Sequence, residues 1–237
     1  MTRIWAVVPA AGTGTRFGGE VPKQYLDVAG KPLIAHALDA LLRHPRVEGA
    51  MVAIVEEDTR WPGWTSLHGK PVLTCTGRAD RAGSVLAALD ALAAHVDYDD
   101  SVLVLVHDAA RPNLDAADLE RLIAAASDSD DGALLAAPVR DTLKRLDNHG
   151  CSAGTEPRER LWRAFTPQAA RLHVLRDALV AAYAARVNVT DEAMALELAG
   201  CRPLLVEGRE DNIKVTTRAD LALVEFLLSR RSNQVSA

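Results

Sequence analysis

A glycine-rich segment near the amino terminus contains residue types that suit phosphate binding. It follows the short apolar run at residues 4–8, which is typical of a buried strand. Small residues let a backbone turn sharply and approach a ligand closely, and consecutive N–H groups in such a turn form a concave anion site. Arg16 and Lys23 add two positive charges. The segment therefore predicts a site for a nucleoside triphosphate, with candidate binding residues Pro9, Ala10, Ala11, Gly12, Thr13 and Gly14.

Two common phosphate-binding motifs are excluded by the residues that follow. A P-loop requires Gly-Lys-Ser/Thr at its end, but Gly19 is followed by Glu20 and Val21. The dinucleotide-binding fingerprint requires a further small residue where this sequence has Phe17. An ordinary glycine-rich turn is the simpler alternative, and Arg16 and Lys23 count against it.

A second group of candidates lies farther along the chain. Asp108 follows the apolar run 101–106, so its carboxylate should emerge at a strand end, where Mg²⁺ could bridge it to phosphate oxygens. A salt bridge to Arg111 or a helix cap is the alternative for Asp108, and Arg111 could also fork a phosphate. Lys214 precedes the last helix and could equally be a solvated surface lysine. Thr190 could equally cap a helix.

Strands and helices are expected to alternate along the chain. The apolar runs predict strands at 4–8, 49–55, 71–74, 101–106, 133–136 and 203–206. Helical spacing predicts helices at 32–42, 81–94, 115–126, 171–185, 191–199 and 218–228. Strands without a polar face indicate a mostly parallel sheet covered by helices on both faces, a three-layer Rossmann-like α/β fold. Ligands bind beyond the carboxyl ends of such strands, so the glycine-rich segment and Asp108 should meet there.

The segment 139–163 interrupts this alternation. It is crowded with charged residues and contains a hairpin-like turn at 148–150. Because it cannot form a core of its own, we expect a protruding β-arm that packs against a second subunit. We expect one domain over 1–231 and a disordered tail at 232–237.

Composition limits the kinds of partner. The 237 residues carry a net charge of −5 with no basic stripe, which argues against a nucleic-acid-binding surface. No apolar run reaches the length of about 18 residues that indicates a membrane span. The three cysteines, Cys75, Cys151 and Cys201, are odd in number and far apart, as expected of reduced thiols in the cytoplasm.

Seven blocks of sequence together resemble the 2-C-methyl-D-erythritol 4-phosphate cytidylyltransferases, a family of the nucleotidyltransferase superfamily. The glycine-rich block alone would indicate only the superfamily. The Asp-Ala-Ala-Arg-Pro, Arg-Asp-Thr and Asp-Asn-Ile-Lys blocks are specific to the family. The blocks occupy residues 9–16, 22–25, 106–112, 138–144, 166–168, 190–193 and 211–216.

The resemblance implies transfer of CMP from CTP to methylerythritol 4-phosphate with release of pyrophosphate, using Mg²⁺, in a homodimer formed through the arm. It implies that Arg16 and Lys23 stabilise the reacting α-phosphate and that Asp108 holds the metal. The residues expected to seat the acceptor are Arg111, Thr142, Thr190 and Lys214, with Arg158 and Thr166 contributed by the partner subunit. The cytidine is expected to contact the backbone of Ala10, Ala11, Gly12 and Ala109 and the side chain of Ser84.

The sequence departs from the family where the cytosine should bind. Arg78 replaces a usual glycine, and Ala79 stands where the family often has an acid that contacts the base. Asp80 is the candidate to replace that acid. The family pattern therefore does not predict which residue selects cytosine over other bases in this chain.

Three other functions are weighed against this one. A related enzyme could use another acceptor such as ribitol 5-phosphate, although the Asp-Asn-Ile-Lys block favours the erythritol compound. A non-catalytic nucleotide-binding protein would not need Arg16, Lys23, Asp108 and Lys214 together. A glycosyltransferase would need an Asp-x-Asp motif at a strand end, whereas Asp128-Ser129-Asp130 follows a helix. The absence of a Ser-His-Asp or Cys-His set fits phosphoryl chemistry, because a phosphate monoester is already an anionic nucleophile.

Overall fold

A large mixed β-sheet forms the centre of the protein in the computed structural model, which describes residues 2–12, 21–96 and 101–235. Within these ranges the strands are β1 (Ile4–Pro9), β2 (Asp27–Val28), β3 (Lys31–Pro32), β4 (Val47–Ile54), β5 (Ser66–Leu67), β6 (Lys70–Thr76), β7 (Leu103–Val106), β8 (Ala133–Pro138), β9 (Leu143–Leu146), β10 (Ser152–Glu156), β11 (Trp162–Arg171) and β12 (Leu204–Glu207). The order in the main sheet is β12-β8-β11-β7-β1-β4-β6-β5. Strands β7, β1, β4 and β6 are parallel neighbours, so their carboxyl ends share one edge.

Helices cover both faces of the sheet, as the sequence predicts. They are α1 (Leu33–Leu42), α2 (Arg81–His95), α3 (Ala116–Ser127), α4 (Leu172–Ala184), α5 (Glu192–Leu198) and α6 (Arg218–Val235). Helices α1 and α3 pack in the core on one face, and α2, α4 and α5 pack on the other. The three-layer α/β arrangement is therefore confirmed.

Strand β1 shows why the sheet is covered on both faces. Ile4, Ala6 and Val8 lie in the core that contains α1 and α3, whereas Trp5 and Val7 lie in the core that contains α2 and α4. Successive side chains of a strand point to opposite faces. A strand that is apolar at every position must therefore be buried on both sides.

Strand β11 is the longest strand that the sequence analysis missed; the two-residue strands β2, β3 and β5 were missed as well. It lies antiparallel between β7 and β8, which makes the sheet mixed, and its register shifts between Ala164 and Gln168. The shift spans Pro167, which has no N–H to donate to a neighbouring strand. A proline inside the run counts against a central strand in sequence, and the structure accommodates it at this irregularity.

Strands β9 and β10 form a separate antiparallel hairpin within the expected arm. The turn between them is closed by Asp147, whose Oδ1 accepts hydrogen bonds from the backbone N–H groups of His149 and Cys151. Gly150 has a φ of +80°, a left-handed conformation that glycine adopts without strain. The hairpin-like turn predicted at 148–150 is thus confirmed.

The last helix, α6, continues to Val235, beyond the predicted end at Leu228. The added residues contain neither glycine nor proline, so nothing in their sequence stops a helix. Among the helices in the described part of the chain, none is long and apolar enough to cross a membrane.

Candidate active site

A pocket of about 650 Å³, measured with the open space at its mouth, lies at the carboxyl ends of the parallel strands. The glycine-rich segment after β1 and the loop after β7 meet there, as the topology predicts. The residues that line it are Pro9, Ala10, Ala11, Gly12, Lys23, Gln24, Arg78, Ala79, Asp80, Arg81, Ser84, Asp108, Ala109, Ala110 and Lys214.

Two loops fold over the end of β4 to form one wall of the pocket. The N–H of Ala10 donates to the carbonyl of Ala53 (2.7 Å), and the N–H of Gly77 donates to the carbonyl of Ile54 (2.7 Å). A Cβ on Gly77 would lie 2.4 Å from the Cβ of Ala11, closer than real contacts allow. Glycine at position 77 is therefore what lets the two loops touch.

Gln24 fastens the start of the glycine-rich segment. It is buried, and its side-chain nitrogen donates to the carbonyls of Ala10 (2.7 Å) and Gly12 (3.0 Å). These two bonds hold the loop from behind. Lys23, the residue before Gln24, lines the pocket. Of the expected phosphate ligands, Thr13, Gly14 and Arg16 lie outside the described residues.

The loop before α2 is held by hydrogen bonds from its own side chains. Ser84 Oγ accepts from the N–H of Arg78 (3.0 Å) and lies 2.9 Å from the carbonyl of Asp80. Asp80 caps the helix by accepting from the N–H of Gly83 (2.7 Å), and the Tyr183 hydroxyl donates to the same carboxylate oxygen (2.6 Å). The bond from Tyr183 contributes most to a lowered pKa of Asp80, so this pocket residue is anionic at neutral pH.

Asp108 lies among three cations. Its Oδ1 is 2.9 Å from Arg81 Nε, and its Oδ2 is 2.9 Å from Lys214 Nζ and 3.5 Å from Arg111 Nε. Burial opposes ionisation of this carboxyl, but the charges of Arg81, Lys214 and Arg111 outweigh burial and hold its pKa well below the usual range. Asp108 is therefore a fixed negative charge that gathers the cations of the site.

A chain of hydrogen bonds supports Asp108 from behind. Its backbone N–H donates to Thr166 Oγ1 (3.0 Å), and that hydroxyl lies 3.0 Å from His107 Nδ1. The other ring nitrogen of His107 is 2.9 Å from the carbonyl of Arg111, which can only accept. Nε2 therefore carries the proton, and Nδ1 accepts from the threonine. Burial lowers the pKa of His107 to about 4, so the ring is neutral at pH 7.

Lys214 reaches Asp108 because its segment is pinned to the loop after β7. The N–H of Val215 donates to the carbonyl of Ala110 (2.8 Å). Arg111 Nη1 donates to the carbonyl of Asn212 (2.7 Å), and Asn212 in turn donates to the carbonyl of Thr166 (2.8 Å). The alternative of a solvated surface lysine is thereby excluded for Lys214.

Arg81 joins Asp108 to the start of α5. Its Nη1 and Nη2 bind the two carboxylate oxygens of Glu192 at 2.6 and 3.0 Å, while Nε binds Asp108. Burial opposes its charge, but Glu192 and Asp108 together raise the pKa of Arg81 above its ordinary value.

Several expected acceptor ligands lie away from the pocket lining. Arg111 is buried behind Asp108, and its guanidinium lies 5.3 Å from the centre of the Phe165 ring. Thr142 and Arg158 lie exposed on the arm, where Arg158 donates to the carbonyl of Arg140. Thr190 is exposed before α5 and does not cap that helix, because Asp191 accepts from the N–H of Met194 (3.0 Å).

Thr166 also differs from its expected place. Its hydroxyl is buried and used within its own subunit, between the N–H of Asp108 and the ring of His107. That Thr166 contributes to the pocket of a partner subunit therefore stays a prediction, while its hydroxyl supports the loop after β7 of its own subunit.

Sequence analysis missed three residues that shape the site: Gln24, Arg81 and Glu192. Gln24 lies in the Pro-Lys-Gln block, where a role was predicted only for the charged residue Lys23. Glu192 lies in the Thr-Asp-Glu-Ala block at the start of a predicted helix, and only the structure shows that it is buried. No pattern in the sequence connects Arg81 with Glu192, because the pairing crosses 111 positions.

The described residues of the site could hold a single divalent cation only if substrate phosphates supplied further oxygen ligands. Among the described residues, no three His, Cys, Asp or Glu side chains come together as a metal cluster. Asp108 offers one ionised carboxylate at the pocket, and Mg²⁺ is commonly held by one or two carboxylates together with substrate phosphates. The donor chemistry is therefore compatible with Mg²⁺ arriving with a triphosphate.

Comparisons with known proteins agree over nearly the whole chain. Residues 4–230 match the family model described as IspD: 2-C-methyl-D-erythritol 4-phosphate cytidylyltransferase. The chain is 63% identical over 228 residues to the cytidylyltransferase of that name from Xanthomonas campestris pv. campestris (strain 8004), covering 96% of this chain and 85% of that protein. It is 63% identical over 229 residues to the one from Stenotrophomonas maltophilia (strain K279a), covering 97% and 98%.

Solved structures agree with the sequence comparisons. A crystal structure of 4-diphosphocytidyl-2C-methyl-D-erythritol synthase matches with a TM-score of 0.84 at 34% identity, covering 96% of this chain and 99% of that one. The Francisella tularensis 2-C-methyl-D-erythritol 4-phosphate cytidylyltransferase matches with a TM-score of 0.80 at 30% identity, covering 95% and 99%. The chain therefore belongs to the 2-C-methyl-D-erythritol 4-phosphate cytidylyltransferase family.

Proposed function

We propose that this chain transfers CMP from CTP to the phosphate of 2-C-methyl-D-erythritol 4-phosphate, releasing pyrophosphate. The observation that carries the proposal is the placement of Lys23, Lys214 and Asp108 around one pocket beneath the glycine-rich segment. Family membership makes this substrate pair the first to test. The reaction belongs to the isoprenoid precursor pathway.

The chemistry requires placement and charge neutralisation more than proton transfer. The acceptor phosphate attacks the α-phosphate of CTP, and two anions must approach each other closely. Fixed cations reduce that repulsion and stabilise charge in the transition state. Lys23 would contact the phosphates from the glycine-rich side together with Arg16, and Lys214 would contact them from the opposite side.

Asp108 organises these cations and is the residue we propose to hold Mg²⁺. When bound, Mg²⁺ would neutralise triphosphate oxygens. In this structure both oxygens of Asp108 contact cationic side chains. Lys214 would then exchange its contact with Asp108 for one with a phosphate as the substrates bind.

Cytosine recognition is assigned to the loop before α2. Asp80 lines the pocket and stays anionic, so it can accept a hydrogen bond from the exocyclic amine of cytosine. Uracil presents a carbonyl at that position and would be disfavoured. Asp80 thus replaces the acid that is absent at Ala79.

We also propose a cytoplasmic homodimer. The β9–β10 hairpin and the segments beside it expose Leu146, Leu161 and Trp162, an apolar surface that a second copy could cover. Thr142 and Arg158 lie on the same arm, and from it Arg158 would reach a partner's pocket. The three cysteines are free thiols, which agrees with a reducing compartment.

The direct test measures pyrophosphate release from CTP and Mg²⁺ with and without methylerythritol 4-phosphate. We expect release only with both substrates, and a fall of about 100-fold or more in kcat for Lys23→Ala, because one lost charge contact in a transition state costs about 3 kcal/mol. Lys31→Ala, at an exposed lysine of β3, is the matched control and should keep full activity.

Other outcomes of this assay identify the alternatives. Release with ribitol 5-phosphate and none with methylerythritol 4-phosphate would reassign the acceptor. Equal release from CTP and UTP would contradict the role given to Asp80. Binding of CTP without release under any condition would leave a nucleotide-binding protein.

A further inference from the structure

The carboxylate of Glu192 is buried at the start of α5, next to the active site. The residue is 1% exposed, and both carboxylate oxygens bind the guanidinium of Arg81. Such an ion pair is a weak source of stability, because removing both charges from water costs about as much as their attraction returns. Its position beside Asp108 points to another use.

The guanidinium of Arg81 binds carboxylates on two different elements, the loop after β7 and the start of α5. Two of its nitrogens hold Glu192, and its Nε holds Asp108 Oδ1 at 2.9 Å. The planar fork of arginine fixes the directions of all three bonds at once, which lysine cannot do. The angle of the Asp108 carboxylate is therefore linked to the position of Glu192.

The start of α5 is itself fastened to the central sheet. Gln168 of β11 donates to the Asp191 carboxylate (2.9 Å) and accepts from the N–H of Ala193 (2.7 Å). Glu192 lies between these two anchors. Arg81 therefore binds a rigid support on one side and an active-site carboxylate on the other.

We propose that Arg81, held by Glu192, is a positioning residue that orients Asp108 and couples the nucleotide side of the pocket to the loop containing Thr190. Arg81 follows the loop that we assign to cytosine, and Glu192 lies two residues after Thr190, which the family resemblance implies for the acceptor. With Arg81 on Oδ1, the other oxygen of Asp108 is directed to Lys214. Glu192 acts through Arg81 and touches no substrate.

This inference rests on the proposed function and has its own test. Glu192→Gln keeps the shape of the side chain but removes its charge and one acceptor oxygen, so Arg81 is no longer held at both nitrogens. We expect kcat to fall about 10- to 100-fold and the KM for the acceptor to rise, while the KM for CTP changes less than threefold. Steady-state kinetics at 20 °C, with each substrate varied in turn, separate these effects.

A matched control removes an ion pair that lies away from the pocket. Glu48, near the start of β4, binds Arg3 Nε at 3.0 Å, whereas the pocket lies at the carboxyl ends of the strands. Glu48→Gln should leave kcat and both KM values unchanged. Arg81→Lys should be impaired as strongly as Glu192→Gln, because it keeps the charge but loses the fork.

Each outcome bears on the inference separately from the proposed function. Wild-type protein without transfer would overturn the proposed function. Active wild-type protein with an equally active Glu192→Gln variant, or a variant whose only change is a lower melting temperature, would overturn the positioning role. Full activity of Arg81→Lys would show that charge alone is needed and would overturn it as well.

Discussion

His107 shows how a residue that touches no substrate can fix a site. Its protonated Nε2 holds the carbonyl of Arg111, and its Nδ1 accepts from Thr166, which in turn accepts from the N–H of Asp108. In this chain of bonds the ring is neutral, because Nδ1 accepts the hydroxyl hydrogen of Thr166. His107 thus supports the loop that carries Asp108 from behind.

Acid should destabilise the protein through His107. Its pKa is lowered from 6.5 to about 4 by burial, so between these values the unfolded chain binds more protons than the folded one. The free energy of unfolding must then rise with pH across this window. Its contribution is complete above pH 6.5 and is lost as the pH falls towards 4. Between pH 7 and pH 5 we expect a loss of about 2 kcal/mol from this residue.

Denaturant unfolding at pH 7 and pH 5 measures that loss. In His107→Gln the fall in unfolding free energy between the two pH values should be smaller than in wild type by about 2 kcal/mol. His149→Gln, at an exposed histidine in the hairpin turn, should behave as wild type. An unchanged pH dependence in His107→Gln would contradict the assignment.

At the scale of elements, the pocket wall is two loops folded over the end of β4. Neither loop belongs to that strand: one follows β1 and the other follows β6, and each donates a hydrogen bond to the last carbonyls of β4. The two loops can touch because residue 77 is a glycine. The Cβ of Ala11 occupies the space that a Cβ at position 77 would need.

Gly77→Ala should open this wall. The new Cβ would lie 2.4 Å from Ala11 and 2.9 Å from Ser84 Oγ, so the loops must move apart. Overpacking of this kind costs about 1–3 kcal/mol. We expect the KM for CTP to rise about tenfold, measured by steady-state kinetics, with a lower melting temperature. Adding Ala11→Gly should restore much of the affinity, because it removes the Cβ that collides. A double variant no better than Gly77→Ala would show that the contact with Ser84, and not with Ala11, is decisive.

The same elements show what sequence can predict. The strand and helix positions follow from apolar runs, and Asp108 at a strand end follows from topology. Strand β11 was missed because Pro167 interrupts it, and its antiparallel pairing with β7 and β8 depends on contacts remote in sequence. The bond between Arg81 and Glu192 was also missed, because these residues are 111 positions apart in the sequence. Local patterns predict elements, and they carry no information on which buried charges will meet.

At the scale of the whole molecule, the β9–β10 hairpin has no core of its own. The ion pair between Arg145 and Glu156 joins its two strands to each other. Leu146 is 72% exposed at the end of β9, and Leu161 and Trp162 are exposed where the chain returns to the sheet. An exposed two-stranded hairpin is marginal in water by itself. A second copy of the chain is the covering that we propose.

Leu146→Asp tests this proposal by placing a charge on that surface. Burial of an unpaired carboxylate in an interface is costly, so we expect the dimer dissociation constant to rise about 100-fold, or about 3 kcal/mol. Sedimentation velocity over a range of concentrations measures it. Val180→Asp places the same charge on an apolar residue of α4 that is 45% exposed and should sediment as wild type. If Arg158 acts across the dimer, Leu146→Asp will also lose activity on dilution, while its CTP binding persists. A variant that stays dimeric, or a wild-type protein that is monomeric at every concentration, would contradict the proposed interface, because the exposed arm would then need no partner.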